Sequence, residues 1–368
     1  MPKLEEYCEV RTSAGVFRDW TSVSVHYGVD PSFSRTVQLE CAEPMKPGRS
    51  GVSLVAQRLK PGDRVDVALG GQLVIEGGYI KIRQTAYDAE RHAVQVVAVA
   101  KSNPIREVSV DVTKESGQFR NTTFEAIANK VLTPVGIGLR LVNPPSAASI
   151  PFRQVIVQTG ETIAELLERL GRQRGLWQWV DVDGTILAGN PAAASGSATL
   201  EEGVNIVAAN SYIEYPWAES VVANSQTSGS DDLWARRAAH IGAEAAISGG
   251  DPGKKIIVLA EHADTQQDLQ ARTDHEAREI NAATHRDVIT HKGWYRPGSQ
   301  KLWAAGDSCV VKSPMLYPFA GGQQTLKVWG VTCSQSEQSG TITAVELVNE
   351  ATFQQQFPNA GAASPVAL

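Results

Sequence analysis

The chain has 368 residues, 42% hydrophobic and 20% charged, with 32 Gly and 18 Pro, the make-up of a globular protein rich in strands and turns. Its net charge of −6 excludes a chain-wide basic footprint for wrapping nucleic acid. No apolar run approaches the roughly 18 residues of a membrane helix, and the start, Met-Pro-Lys-Leu-Glu-Glu, lacks the basic-then-apolar pattern of a signal peptide. Of the four cysteines, Cys41, Cys309 and Cys333 fall in strand-like runs and none forms a C-x-x-C pair with Cys8 or another. They read as buried free thiols of a protein made in a reducing cytoplasm.

The first hundred residues alternate with a period of two. Val23, Val25 and Tyr27 interleave with Ser22, Ser24 and His26, and Val37, Leu39 and Cys41 with Thr36, Gln38 and Glu40. With Val65–Leu69, Leu73–Arg83 and His92–Val99, this predicts five or more short antiparallel strands. After Asn103-Pro104 the pattern turns helical. Thr122-Thr123-Phe124-Glu125 resembles a capping box, followed by an apolar face of Phe124, Ile127, Ala128, Val131 and Leu132 that Pro134 ends. A second helix spans about 161–174, with Ile163, Leu166, Leu167 and Leu170 inward and Gly175 closing it. A hairpin turning at Asp183-Gly184 follows, and the segment 191–198 has the composition of a soft linker.

Strand patterns resume at 205–208, 211–215 and 220–225, and 225–255 reads as a surface excursion. Ile256–Leu259 is a short strand. Asp264 is positioned to cap a helix of about 19 residues, which carries few large apolar side chains and so is expected to be exposed or to face a partner, with His275 solvated. From Arg286 the chain is β again to Val348, and 354–368 has the composition of a disordered tail.

Two stretches look like one small β-module written twice. The first runs Leu59-Lys60-Pro61-Gly62-Asp63, strand, Gly70-Gly71, strand, return strand 92–99. The second runs Leu302-Trp303-Ala304-Ala305-Gly306-Asp307, strand, Gly321-Gly322, strand, return strand 341–348. Gly-Asp turns are common, so the repeat rests on the order of the whole set.

Candidate chemistry is weak. Ser248-Gly-Gly-Asp-Pro-Gly-Lys254-Lys255 lacks the first Gly and the Ser/Thr of a phosphate loop. Asp181-x-Asp183-Gly184 lacks the later ligands of a calcium loop, and the seven histidines form no metal-ligand spacing. No catalytic, cofactor or metal site is assigned. Of the eight Trp, most are expected in cores, some as interface anchors.

The order of these parts resembles the baseplate hub protein of Mu-like contractile-tailed phages, a family related to the hub part of type VI secretion spikes. The resemblance is carried by Trp20-Thr-Ser-Val-Ser-Val, Leu59-x-Pro-Gly-Asp-x-Val, the helix from Gly160-Glu161-Thr162 to Arg174-Gly175-Leu176, and Gly293-Trp294-Tyr295-Arg296-Pro297-Gly298 with Leu302-Trp303, Gly306-Asp307 and Gly340-Thr341-x-Thr343. It covers roughly 10–353. It implies an α+β, mainly β chain of two related small antiparallel β-barrel (tail-tube-like) domains with an α+β insert between them. The layout is then 1–104 for the first barrel, 105–200 for the insert, and 205–225 with 286–353 for the duplicated barrel. Residues 226–285 pack with the insert, and 354–368 are a tail.

The implied function is structural, not enzymatic. A homotrimeric ring would adapt the sixfold tail tube to the threefold spike in the virion after assembly in the host cytoplasm. Its partners are the spike protein, the tube protein and other baseplate proteins, with no membrane insertion and DNA only as passing cargo. Gly62, Asp63, Gly306, Asp307, Trp294, Tyr295 and Arg296 are the expected interface residues, though turns and cores also call for such residues. The alternative is a tail-associated cell-wall hydrolase or carbohydrate-binding β-protein.

Overall fold

The structure, a computed structural model, describes residues 6–29, 33–42, 58–87, 92–113, 117–191, 196–225, 241–260 and 265–353. The predicted tail 354–368 and the helix cap at Asp264 lie outside these residues.

The N-terminal alternation does form strands: β1 (Cys8–Thr12), β2 (Gly15–Phe17), β3 (Ser22–Gly28), β4 (Thr36–Ala42), β5 (Arg64–Leu69), β6 (Gln72–Tyr87) and β7 (His92–Val99). Val23, Val25 and Tyr27 turn inward from β3 and Val37 and Leu39 from β4, as a period of two requires.

The segment that follows has its own core. It comprises β8 (Gln118–Thr122), helix α1 (Phe124–Leu132), β9 (Leu139–Val142), β10 (Phe152–Ile156), helix α2 (Ile163–Gln173), β11 (Trp177–Val180) and β12 (Ile186–Gly189). β8 pairs with β10, while β12 lies between β11 and β9. Phe124, Ile127 and Leu132 of α1 meet Leu166, Leu167 and Leu170 of α2 beneath these strands. The cap of α1 is Thr123, one residue later than predicted, whose hydroxyl accepts from Ala126 N at 3.4 Å. Thr122 instead ends β8. In α2 the capping box is complete, Thr162 with Glu165, and Gly175 follows with φ +68°, a conformation open to glycine.

The remaining elements are β13 (Ser197–Glu201), β14 (Ile206–Ile213), β15 (Ser220–Ser225), β16 (Ile241–Ala246), β17 (Lys255–Leu259), helix α3 (Gln266–Thr284), β18 (His285–Lys292), β19 (Ser308–Lys312), β20 (Gln323–Ser336) and β21 (Gly340–Asn349). Three predictions fail locally. The supposed surface excursion 225–255 contains β16, which pairs antiparallel with β15 and is covered by α3. The end of the supposed linker is β13, a strand held parallel to β19, because small residues can pair as well as bend. Helix α3, capped by Thr265, is not largely exposed. Leu269 and Ala277 bury against the alanine-rich inner face of β15 and β16, where small side chains on both sides permit close approach, while Ala282 packs beside Trp177 and Phe353. His275, expected in water, is 1% exposed.

β1–β7 and β13–β14 with β18–β21 join in one thirteen-stranded sheet, in the order β14-β18-β21-β20-β3-β4-β7-β6-β5-β1-β2, with β19 and β13 branching from β20. The joint between the halves is β3 against β20, from Ser22 opposite Ser336 to Gly28 opposite Gly330. The chain is mainly β with few helices, as expected; among the described residues the halves share one open sheet instead of closing separately. Gly28 explains how close the joint is: an added Cβ there would stand 2.5 Å from the Trp329 carbonyl oxygen.

Candidate assembly interface

The two modules repeat down to individual hydrogen bonds. In the first turn, Lys60 N donates to Asp63 Oδ2 at 2.8 Å and Asp63 N donates to Lys60 O at 3.0 Å. Gly62 N then donates to Ile80 O, and Ile80 N to Asp63 O. In the second, Ala304 N donates to Asp307 Oδ2 at 2.8 Å, Asp307 N to Ala304 O, Gly306 N to Val328 O, and Val328 N to Asp307 O. Both glycines sit at positive φ, +91° and +83°. The long strand of each module then bulges at the next residue: pairing with the return strand skips from Ile80 to Ile82 and from Val328 to Gly330. This geometry moves one sequence match by a residue. Trp303, not Leu302, takes the place of Leu59, and both side chains are buried.

The strand orders match as well. β3-β4-β7-β6-β5-β1 in the first module corresponds to β14-β18-β21-β20-β19-β13 in the second, except that β1 pairs antiparallel with β5 whereas β13 pairs parallel with β19.

Around these common turns the seven expected interface residues have unlike surroundings. Gly62 is exposed and Asp63 half-buried. Gly306 and Asp307 are buried, and Asp307 also takes Arg296 Nη1 at 3.0 Å and Gly196 N at 3.2 Å. Trp294 is fully buried, its indole N–H on Ser334 O at 3.3 Å. The Tyr295 hydroxyl donates to Gly70 O at 3.4 Å, and Gln72 receives Leu302 N and donates to Gln300 O at 2.7 Å. The loop 293–307 therefore clips the second module to the Gly70-Gly71 turn of the first. The sequence missed the clip's far side, Glu6 and Gln72; Glu6 Oε1 receives Trp294 N at 3.1 Å.

A second contact region lies between the sheet, α2 and α3. Trp177 packs edge-on to Trp329 with ring centroids 5.0 Å apart, and Trp329 stacks on Phe353 at 5.8 Å. A cavity of about 240 Å³ opens beside them, lined by Phe33, Arg172, Trp177, His275, Glu279 and Trp329 among others. Burial pushes the His275 imidazole down to about 4, so it is neutral there. Nearby, Arg174 donates to Asp268 at 2.6 Å and lies over the Phe152 ring, tying α2 to α3.

Burial also pushes the thiols of Cys8, Cys309 and Cys333 up to about 12, the state of inert core cysteines. No group of three His, Cys, Asp or Glu could hold a metal ion among the described residues.

A mainly β chain of two joined modules with an inserted α+β segment has the fold of phage tail proteins. The 43 kDa tail protein of prophage MuSo2 from Shewanella oneidensis superposes with a TM-score of 0.76 at 22% identity, over 95% of this chain and 99% of that one. A type VI secretion component of E. coli, itself described as similar to T4 tail proteins gp27 and gp5, superposes at 0.56 and 10% identity over 92% and 76%. Residues 108–190 match the family model for the second domain of gp44-like baseplate hub proteins. Over 94% of its length the chain is 25% identical to the baseplate hub protein gp44 of Escherichia phage Mu, covering 88% of that protein. The resemblance to Mu-like baseplate hub proteins thus holds over nearly the whole chain, and these relatives are structural tail proteins rather than enzymes.

Proposed function

We propose that the chain is the baseplate hub of a contractile tail, a homotrimer that seats the sixfold tube on the threefold spike and lets DNA through. The observation that carries this reading is the duplication, in strand order, turn hydrogen bonds and bulge position. Two like modules per chain make six like units in a ring of three, which is what an adaptor between these symmetries needs. In this reading 1–104 and 205–213 with 286–353 are tube-like barrel halves, to which β13 is added; β15, expected in the second barrel, pairs with β16 and β17 instead. The elements β8 to β12 with α1 and α2, and the sheet of β15–β17 with α3, lie together outside them.

The exposed Gly62-Asp63 turn contacts tube, spike or other baseplate proteins directly. Gly306, Asp307, Trp294, Tyr295 and Arg296 shape the interface from within by holding the 293–307 loop. An acidic chain suits a lumen through which phosphate must slide without being gripped.

The test is absolute mass by light scattering, alone and with the co-expressed spike. Three times 39.5 kDa is expected. A chain that stays monomeric even with its spike overturns the ring.

A further inference from the structure

The duplication contains a mismatch at its strand edges. In the second module the long strand β20 is flanked along its whole length: residues 323–327 pair with β19, and 330–336 pair with β3 of the first module. In the first module the corresponding strand β6 pairs with β5 only as far as Tyr79. Beyond the bulge, from Ile82 on, its other neighbour is β7 alone, among the described residues. The counterpart of β3 in the second module is β14, and β14 is the last strand of the sheet. Among the described residues, one module has a long strand with no β3-like neighbour, and the other has a β3-like strand with no strand outside it.

We infer that β14 of one copy pairs antiparallel with the far half of β6 in the next copy, repeating between chains the β3–β20 joint found within one. The inference rests on the proposed ring and names its contact. The register follows from the repeat. The bulges align Ile80 with Val328, so Arg83 to Ala86 stand where Val331 to Ser334 stand. Ala98 faces Ile80 and Leu347 faces Val328. Their next neighbours are Val37 and Asp287, and beyond those come Val25 and Ser211. Since Cys333 faces Val25 within the chain, Thr85 faces Ser211 between chains, and Ala86 faces Asn210. Gln84 then meets Tyr212 and Arg83 meets Ile213. The rungs stop there, because Ile82 and Glu214 carry side chains where the internal joint has Gly330 and Gly28.

Exposure agrees with this. Tyr27, which Ile213 matches, is 4% exposed within the chain, whereas Ile213 is 63% and Tyr212 55% exposed. An edge of that kind, long and carrying apolar side chains, calls for a partner strand. A contact between two different faces is heterologous, so it builds a closed ring or a filament and not a two-fold dimer.

Cysteine pairs test it, with little background because Cys8, Cys41, Cys309 and Cys333 are all buried. Ala86→Cys with Asn210→Cys is oxidised and run without reductant, beside Thr85→Cys with Ser211→Cys as a second in-register pair. Ala86→Cys with Val207→Cys is the off-register control. The expected result is covalent species ending at three chains in at least one in-register pair, at least tenfold more abundant than in the control. A particle with trimer mass but no in-register link overturns the strand pairing and leaves the ring standing. Covalent ladders running beyond three chains support the pairing and overturn the trimer. A monomeric mass with no link in any variant overturns both.

Discussion

The two modules use one backbone plan and fill it differently. At the turn, Asp63 caps its own loop at a half-exposed site, whereas Asp307 does so while buried against Arg296 and Gly196. Leu59 under the first turn becomes Trp303 under the second, which hydrogen-bonds His291 at 2.8 Å. At the bulge, Lys81 reaches Glu107 at 2.7 Å near solvent, while Trp329 joins the aromatic cluster with Trp177 and Phe353. A bulge re-aims one side chain out of the pleat, so the same irregularity serves an ion pair in one copy and a docking site for the insert in the other. The plan is kept where the backbone bonds to itself; the divergence lies where each module meets its neighbours.

That contrast can be broken at matched positions. Asp307→Ala strands a buried guanidinium and two backbone N–H groups, so a loss of about 3–4 kcal/mol is expected, measured by urea unfolding. Trp303→Leu, which restores the residue type of the first module, leaves a void and removes the indole from His291, for a loss of about 2–3 kcal/mol.

The second module should also carry the greater acid sensitivity. His291 accepts from Trp303 at Nε2 and lies within hydrogen-bond distance of Lys292 O through Nδ1, and burial lowers its affinity for a proton. A histidine whose folded value is depressed is protonated first in the unfolded chain, so its stabilisation is full above about 6.5 and is lost as pH falls below that. Outside the modules, His275 on α3, down to about 4, extends the window of the whole chain to that pH. Melting temperature should fall between pH 6.5 and 4, and a double variant His275→Gln with His291→Gln should flatten the profile. The smallest effect is expected at Asp63→Ala, about 1 kcal/mol. Equal losses at Asp63 and Asp307 would show that the two turns are held alike.

Most strands of both modules, though not β1, β2 or β13, were legible from period and turn chemistry, as were the two core helices of the insert and the Asp183-Gly184 hairpin. So was the duplication, because Gly-Asp turns and double glycines leave marks at fixed places. The joint of β3 with β20 was not, since pairing between distant strands leaves no local signal. Nor was the burial of α3, whose inward face is Ala, Thr and His: an apolar count overlooks a helix that packs through small residues. Among the expected interface residues, Gly62 and Gly306 were identifiable as turn formers, while for Trp294, read both as core and as anchor, nothing local decided that its whole side chain lies inside the chain.

The β3–β20 joint also sets the order of folding. β3 leaves the ribosome among the first strands, yet the strand that covers its outer edge is among the last to be made. Contacts of such sequence separation slow folding, and a strand edge left waiting invites pairing with another nascent chain. Polar Ser22, Ser24 and His26 on one face of β3 restrain that misassembly until β20 arrives. Commitment to the native sheet therefore comes only when synthesis is nearly finished, and truncations before β20 should yield aggregate rather than a folded first half.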